Sequence, residues 1–248
     1  MFKKIKSQGV ICYRAIGKYL IIPCRKAIPE QPESFFAHPC SNLKRVVRES
    51  FILSSCRDKR VLHFGFLDSP ITRERITNRT LLHTKISTVA SYLFGIDVND
   101  ENLSDYRNLT GDTENCIINI LQPVNDVLFL AEKFDLILFP EVLEHLSNPG
   151  VALLKLREIM IHNPGSSLLI TVPNAFSLPH FVSACNSVEM VHPDHYYYFS
   201  PVTLSKLLFD SGFDQIEILL YSHDQKDLGT PGITEHGIVA LCKDKIYK

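Results

Sequence analysis

The stretch Phe134-Asp135-Leu136-Ile137-Leu138-Phe139-Pro140-Glu141-Val142-Leu143-Glu144-His145-Leu146 decides the fold. After Asp135 the first half is unbroken large apolar side chain, with no polar residue at every second position. That is the pattern of a strand covered on both faces. The second half opens on Pro140, a residue suited to the first turn of a helix. Val151 to Met160 then continues with helical spacing, and Asn163-Pro164-Gly165 stops it. Ser167 to Val172 reads as the next strand.

The same alternation extends in both directions. Upstream, Lys59 to Phe64 is a short strand that ends at Gly65, and Leu81 to Leu93 has helical spacing. Leu93-Phe94-Gly95-Ile96-Asp97 reads as a second strand with an acid at its end, and Cys116 to Ile120 as an irregular strand or a helix start. Downstream, Pro201 to Ser211 is a helix closed by Gly212, a natural C-cap residue. Two closely spaced strands, Gln215 to Tyr221 and Gly237 to Cys242, suggest an antiparallel edge. Strands alternating with helices predict a three-layer α/β fold with a doubly wound, mostly parallel sheet.

Residues 1–49 differ from the rest. They are basic, carry Pro23, Pro29, Pro32 and Pro39, and read as an extension and linker before a domain spanning 50–248. Phe2 to Ile22 mixes Lys and Arg with Ile, Tyr and Leu. Such a segment either lies on an anionic membrane surface, which would put a peripheral contact within residues 1–26, or forms a helix packed on the domain with its cations in solvent. Residues 28–42 read as the linker itself.

Composition removes several classes of function. A formal net charge of −1 gives no electrostatic case for nucleic-acid binding. The seven cysteines form no C-x-x-C pair, so neither a disulfide framework nor a cysteine zinc site is expected, and reduced thiols in the cytoplasm is the plainer reading. No apolar run reaches membrane-spanning length, and Arg14 and Lys18 interrupt what would otherwise resemble a signal peptide.

Ligands of a doubly wound sheet sit beyond the carboxyl ends of its strands. Gly65 there lets backbone approach a ligand, and Asp97 can accept hydrogen bonds from ribose hydroxyls. Each has a bland alternative, a turn glycine and a solvated acid. Just beyond the central strand, Glu141, Glu144 and His145 share one face of a helical turn. His145 titrates near neutral pH and is a candidate base, with Glu144 beside it. The segment His192-Pro193-Asp194-His195-Tyr196-Tyr197-Tyr198 supplies further candidates. Either His195 and its neighbours position an acceptor while Tyr196 or Tyr198 stacks on a ring, or the histidines cap the helix that starts at Ser200-Pro201. Asn174 either contacts an acceptor or closes a turn.

Taken in order, VLHFG, LFGID, GDTE, FDLILFPEVLEHL, SSLLITVPN and HPDHYYYFSPVTLSKLLFDSGF resemble the class I S-adenosylmethionine-dependent methyltransferases, over about residues 58–242. The resemblance implies a Rossmann-like domain that binds S-adenosylmethionine, with Gly65 at the methionine end, Asp97 at the ribose and Asp112 at the adenine. Asp68 and Glu141 are the remaining candidate cofactor contacts. It further implies transfer to a small-molecule, saccharide or lipid-linked acceptor, O-methylation being the expected chemistry. Glu-x-x-Glu-His resembles the divalent-metal motif of ubiquinone-biosynthesis and small-RNA 2′-O-methyltransferases. On that reading Glu141, Glu144, His145 and either His192 or His195 hold a cation, whereas many metal-free relatives use the same residues to buttress the loop. The glycine loop departs from the family. It reads His63-Phe64-Gly65-Phe66-Leu67-Asp68-Ser69, with one glycine where three alternate, although Gly65, Asp68 and Pro70 are similar to a Gly-Cys-x-Asp-x-Pro variant. Phe66 is expected to narrow the pocket and Ile71 to Thr80 to form an insertion over it. These departures keep a second expectation open, a non-catalytic domain that binds a partner or a membrane. A nucleotide-dependent dehydrogenase is disfavoured because the dinucleotide fingerprint is missing.

Overall fold

The computed structural model describes residues 4–7, 10–15, 18–23, 40, 42–122, 132–225 and 235–243. The chain divides into two compact units, Met1–Pro39 and Cys40–Lys248. In the first, strands β1 (Lys4–Ser7), β2 (Val10–Ala15) and β3 (Lys18–Pro23) pair antiparallel in the order β1-β2-β3. The helix considered for this stretch is therefore replaced by a three-stranded meander. Val10, Ile11, Tyr13, Tyr19, Ile21 and Ile22 are β-branched or aromatic, which favours pleated backbone. Of the linker expected at 28–42, all but residues 40 and 42 lie outside the described residues.

The second unit is built on an eight-stranded sheet. Its elements are β4 (Arg45–Val47), α1 (Arg48–Cys56), β5 (Arg60–Phe64), α2 (Thr72–Thr77), α3 (Leu82–Ile86), β6 (Tyr92–Asp97), α4 (Leu103–Thr110), β7 (Asn115–Ile117), β8 (Leu136–Pro140), α5 (Pro149–His162), β9 (Ser167–Pro173), α6 (Leu178–Cys185), α7 (Pro201–Asp210), β10 (Gln215–Ser222) and β11 (Gly237–Lys243). The strand order is β4-β10-β11-β9-β8-β5-β6-β7. From β9 to β7 every pairing is parallel; β11 runs antiparallel to both β9 and β10, and the short β4 pairs parallel to β10.

Burial follows the period of two in each strand. In β8, Ile137 and Phe139 enter the core under α5 and α7, whereas Leu136 and Leu138 enter the core under α1 and α3. In β9, Leu168, Ile170 and Val172 take the first side and Leu169 the second. Helices thus cover both faces, giving the three layers expected. Burying both faces is why the deciding stretch reads as continuous apolar sequence. The helix expected from Leu81 to Leu93 is shorter, ending at Ile86. The hydroxyls of Ser87 and Thr88 donate back to the carbonyls of Thr84 and Lys85, at 2.8 and 2.7 Å, competing with further helix bonds.

Candidate functional site

The parallel register lines up the carboxyl ends of the central strands. His63 pairs with Gly95 and Phe64 with Ile96, and the Gly65 N–H donates to the Ile96 carbonyl at 2.7 Å. Gly65 turns with φ +69°, and a Cβ there would lie 2.5 Å from Cγ2 of Val142. The position therefore excludes a side chain twice over, by backbone conformation and by space.

Asp97, at the end of β6, is buried. Its Oδ2 accepts from the Leu67 N–H at 2.8 Å, and its Oδ1 from the N–H groups of Val98 and Asn99 at 2.8 and 3.0 Å. A carboxylate offers about four acceptor positions, so three are used to fix the loop after β5 and the turn after β6. Burial raises its pKa from the ordinary value, and the three backbone donors oppose that rise. Asp68 is half-buried and ion-pairs with Arg75 at 3.0 Å. The expected insertion Ile71 to Thr80 holds α2, whose Arg73 bridges to Asp105 of α4 at 3.0 Å. Phe66 packs against His83 and, edge-on, Tyr106, at centroid distances of 4.8 and 5.1 Å. At 1% exposure it lines no open cleft, which removes the narrowing expected of it.

Asp112 is held by the Tyr106 hydroxyl and by the Glu114 N–H, the latter at 2.8 Å. His83 Nε2 lies 3.5 Å from it, at the limit of a weak hydrogen bond from a neutral ring. Burial works against ionisation here, yet His83 and Tyr106 hold the carboxyl down at about 2. His83 is in turn one half of a buried pair that sequence reading did not find. Its Nδ1 is 2.9 Å from Nδ1 of His63, at the end of β5. One ring must donate and the other accept, which excludes two protonated rings, and burial keeps both neutral. Burial drives the His63 pKa well below its usual range, and the neighbouring His83 lowers it further.

Beyond β8 the chain makes a single 3₁₀ turn, Leu143–His145, after Glu141 adopts φ +52°. The turn separates the three candidates that sequence spacing put on one face. Glu141 Oε1 accepts from the Thr171 hydroxyl at 2.6 Å and the Tyr221 hydroxyl at 3.1 Å, and ion-pairs with Arg48 at 3.6 Å. Its carboxylate is thus tied to α1, β9 and β10. Glu144 points elsewhere. It is wholly buried, and neither carboxylate oxygen has a hydrogen-bond partner. Burial, reinforced by the charge of Glu141, pushes its pKa up to about 9. One ligating atom from each of Glu144, His145 and His195 lies within 4.8 Å of the others.

The HPDH segment reaches this cluster because the Tyr196 N–H donates to the Glu144 carbonyl at 2.8 Å. The rings of His145 and His195 meet at 4.6 Å, and His192 stands 4.7 Å from His195. His145 Nδ1 is 3.1 Å from the Asp194 carbonyl. A carbonyl only accepts, so Nδ1 carries the proton and Nε2 keeps its lone pair. Burial lowers the pKa of His145 and takes His195 to about 4, so both are neutral at physiological pH. The histidines do not cap α7; Ser200 and Thr203 form a reciprocal capping box instead. Tyr196 is exposed, while the Tyr198 ring stands edge-on to His180 and His195, at 4.7 and 5.5 Å. Asn174 closes a turn: its amide donates to the Glu235 carbonyl and accepts from the Phe176 N–H, both at 3.0 Å. Arg48 and Tyr221, which orient Glu141, carried no motif that would have singled them out.

A family model described as a methyltransferase domain matches residues 78–218. No curated protein matches. Among solved structures, the chain is similar to an S-adenosylmethionine-dependent methyltransferase from Thermotoga maritima, with 14% identity and a TM-score of 0.56 over 80% of this chain and 88% of that one. A second, from Mesorhizobium loti, shares 13% identity with a TM-score of 0.52 over 79% and 97%. A third, from Aquifex aeolicus, shares 14% identity with a TM-score of 0.50 over 79% and 88%. At such identities the likeness speaks for the fold. No helix among the described residues is long and apolar enough to cross a membrane.

Proposed function

This chain belongs to the methyltransferase-domain family, and from that premise we propose that it methylates a hydroxyl of a small molecule, saccharide or lipid-linked precursor, using S-adenosylmethionine. The observation that carries the reading is that Gly65 and Asp97 stand at the carboxyl ends of the paired strands β5 and β6, while the turn after β8, the other neighbour of β5, supplies a proton acceptor. Gly65 turns the chain with φ +69° against Val142, Asp97 keeps one acceptor position on Oδ2, and Asp112, in the loop before β7, is held ionised. The acceptor is His145, neutral and with Nε2 free of its proton. When bound, S-adenosylmethionine supplies an electrophilic methyl group on a sulfonium. Asp97 would take the ribose, Asp112 the adenine, and the Gly65 turn the methionine end. His145 receives the acceptor's hydroxyl proton and His195 orients the oxygen, with the buried, protonated Glu144 packed behind them.

A second reading of the same cluster has its own support in the two unpartnered oxygens of Glu144. A buried carboxylate without donors suits a cation, and a mixed oxygen and nitrogen set of Glu144, His145 and His195 suits a divalent one. Such an ion would lower the acceptor's pKa. Glu141, engaged by Arg48, Thr171 and Tyr221, stands outside that set, and His195 takes the place considered for His192.

Calorimetric titration of the full chain with S-adenosylhomocysteine tests the cofactor reading. Micromolar binding is expected, with Asp97→Ala weakening it by about 10- to 100-fold, the worth of one charge-assisted hydrogen bond. A folded wild-type chain that does not bind returns the non-catalytic, partner-binding reading to the front. Thermal melting with Mn²⁺ separates the two versions of the cluster. Stabilisation that His195→Ala removes supports the cation; a melting temperature indifferent to Mn²⁺ leaves His145 as a metal-free base.

A further inference from the structure

A cavity of about 510 Å³ opens where the carboxyl end of β9 meets α6 and the loop after it. Its walls include Ala175, His180, Ala184, Val188, Met190 and Tyr198. The volume falls in the range of small-molecule sites. It adjoins the cluster already described. His180 stands edge-on to Tyr198, and Tyr198 edge-on to His195, so a continuous file of rings joins the cavity to His145 and Glu144.

Two features of this wall need explaining. First, it is apolar where solvent should make it polar. No residue of α6 is buried although its sequence is LPHFVSAC, and Val188, Met190 and Val191 each leave at least 51% of their surface exposed. Phe176 and Phe181 are exposed beside them. Single exposed apolar residues need no cause, but a contiguous group at the mouth of a site does. Second, among the described residues that line it there is no lysine or arginine. Between Arg157 and Lys206 the chain has no lysine or arginine, while Glu189 lines the cavity and Asp194 lies in the same loop. A phosphorylated or carboxylated acceptor would meet no lysine or arginine among the described lining residues and the carboxylate of Glu189 to repel it.

We propose that this cavity holds the body of the acceptor, and that the acceptor is an uncharged molecule with an apolar body and a hydroxyl at one end. The inference rests on the methyltransferase reading and narrows its substrate. The apolar body lies against Ala184, Val188 and Met190, and the hydroxyl reaches past Tyr198 to His195 and His145. Burying Val188 and Met190 under the acceptor removes apolar surface from water, which supplies the affinity. The ring file sets the direction in which the polar end must point.

The test is titration of the full chain, saturated with S-adenosylhomocysteine, with 4-hexylphenol and with 4-hexylphenyl phosphate. Two variants on the exposed wall, Ala184→Trp to fill the cavity and Met190→Glu to charge it, are measured alongside. S-adenosylhomocysteine affinity is read separately on every sample. The expected result is submillimolar binding of the phenol, at least tenfold weaker in both variants and at least tenfold weaker for the phosphate ester, with S-adenosylhomocysteine affinity unchanged within twofold. The proposal is overturned if the phenol does not bind, if the variants bind it as the wild type does, or if the phosphate ester binds better. Co-sedimentation with phosphatidylcholine vesicles that Met190→Glu abolishes, without phenol binding, would make the wall a membrane contact instead and also overturns it. Failure of the wild type to bind S-adenosylhomocysteine is a separate result and counts against the cofactor reading alone.

Discussion

Replacing Glu144 by glutamine should stabilise the protein. The carboxyl is wholly buried, has no hydrogen-bond donor, and is held protonated up to about pH 9 by burial and by the charge of Glu141. Its ordinary pKa is 4.5. A folded-state pKa raised above the unfolded value means that stability is greatest below pH 4.5 and is lost as pH rises toward 9. At pH 7 the unfolded chain gains by ionising this group and the folded chain does not. The gap of 2.5 pH units, at about 1.4 kcal/mol each, costs the fold up to about 3.5 kcal/mol. Glutamine has nearly the same shape and buries an amide in place of a neutral acid, so the desolvation of the two largely cancels. E144Q should therefore unfold about 2–3 kcal/mol later at pH 7, a rise in melting temperature of about 5–10 °C for a domain of this size. The gain should grow by about 1.4 kcal/mol for each pH unit between 5 and 8. Urea unfolding of both proteins at pH 5, 6, 7 and 8, with a chelator present, measures it. A variant no more stable than the wild type at pH 7, or a difference that does not change with pH, would refute the reasoning, because the carboxylate would then be ionised and partnered in the fold.

Two further predictions follow from the opposite edge of the site. His63 and His83 are buried neutral, with pKa values depressed below 6.5, so below that pH the unfolded chain takes up protons that the folded chain refuses. Stability should fall between pH 7 and 5.5 by about 1.4 kcal/mol for each histidine that stays neutral. The double variant His63→Leu/His83→Leu should show a shallower fall in urea unfolding; equal slopes would mean that the pair is solvated or protonated. Gly65→Ala forces a left-handed backbone on alanine and sets its Cβ against Val142, at a total cost of about 2–4 kcal/mol. Adding Val142→Ala should recover the steric part, so a double-mutant cycle by denaturant titration reads positive coupling, and strict additivity would deny the contact.

The fold class was legible because each strand of this sheet is covered on both faces, and a strand covered twice writes itself as an apolar run between breakers. The strand-end residues Gly65, Asp97 and Glu141 were legible for the same reason: they follow such runs directly. How each would be used was not. Asp97 spends three acceptor positions on its own loop, and Phe66 turns into the core against His83 and Tyr106, neither of which sits near it in sequence. The N-terminal stretch mixes cations with β-branched residues, a local pattern compatible with a helix or with strands, and pairing among three segments decides for strands.

The sequence by itself determined the order of elements, the parallel core and the chemistry available at residues 141–145 and 192–195. Those are properties of local pattern, since periodicity and residue type act over a few residues at a time. Only the tertiary structure decided that Glu144, His145 and His195 meet while Glu141 turns to Arg48, Thr171 and Tyr221. It also decided that His63 shares a hydrogen bond with His83, and that the helix after β9 is left with an apolar face at the mouth of the site. Each of these depends on the distance between groups far apart in the chain and on the water excluded around them. Burial and proximity set the charge state of a carboxyl or an imidazole, and neither quantity is written in the residues beside it.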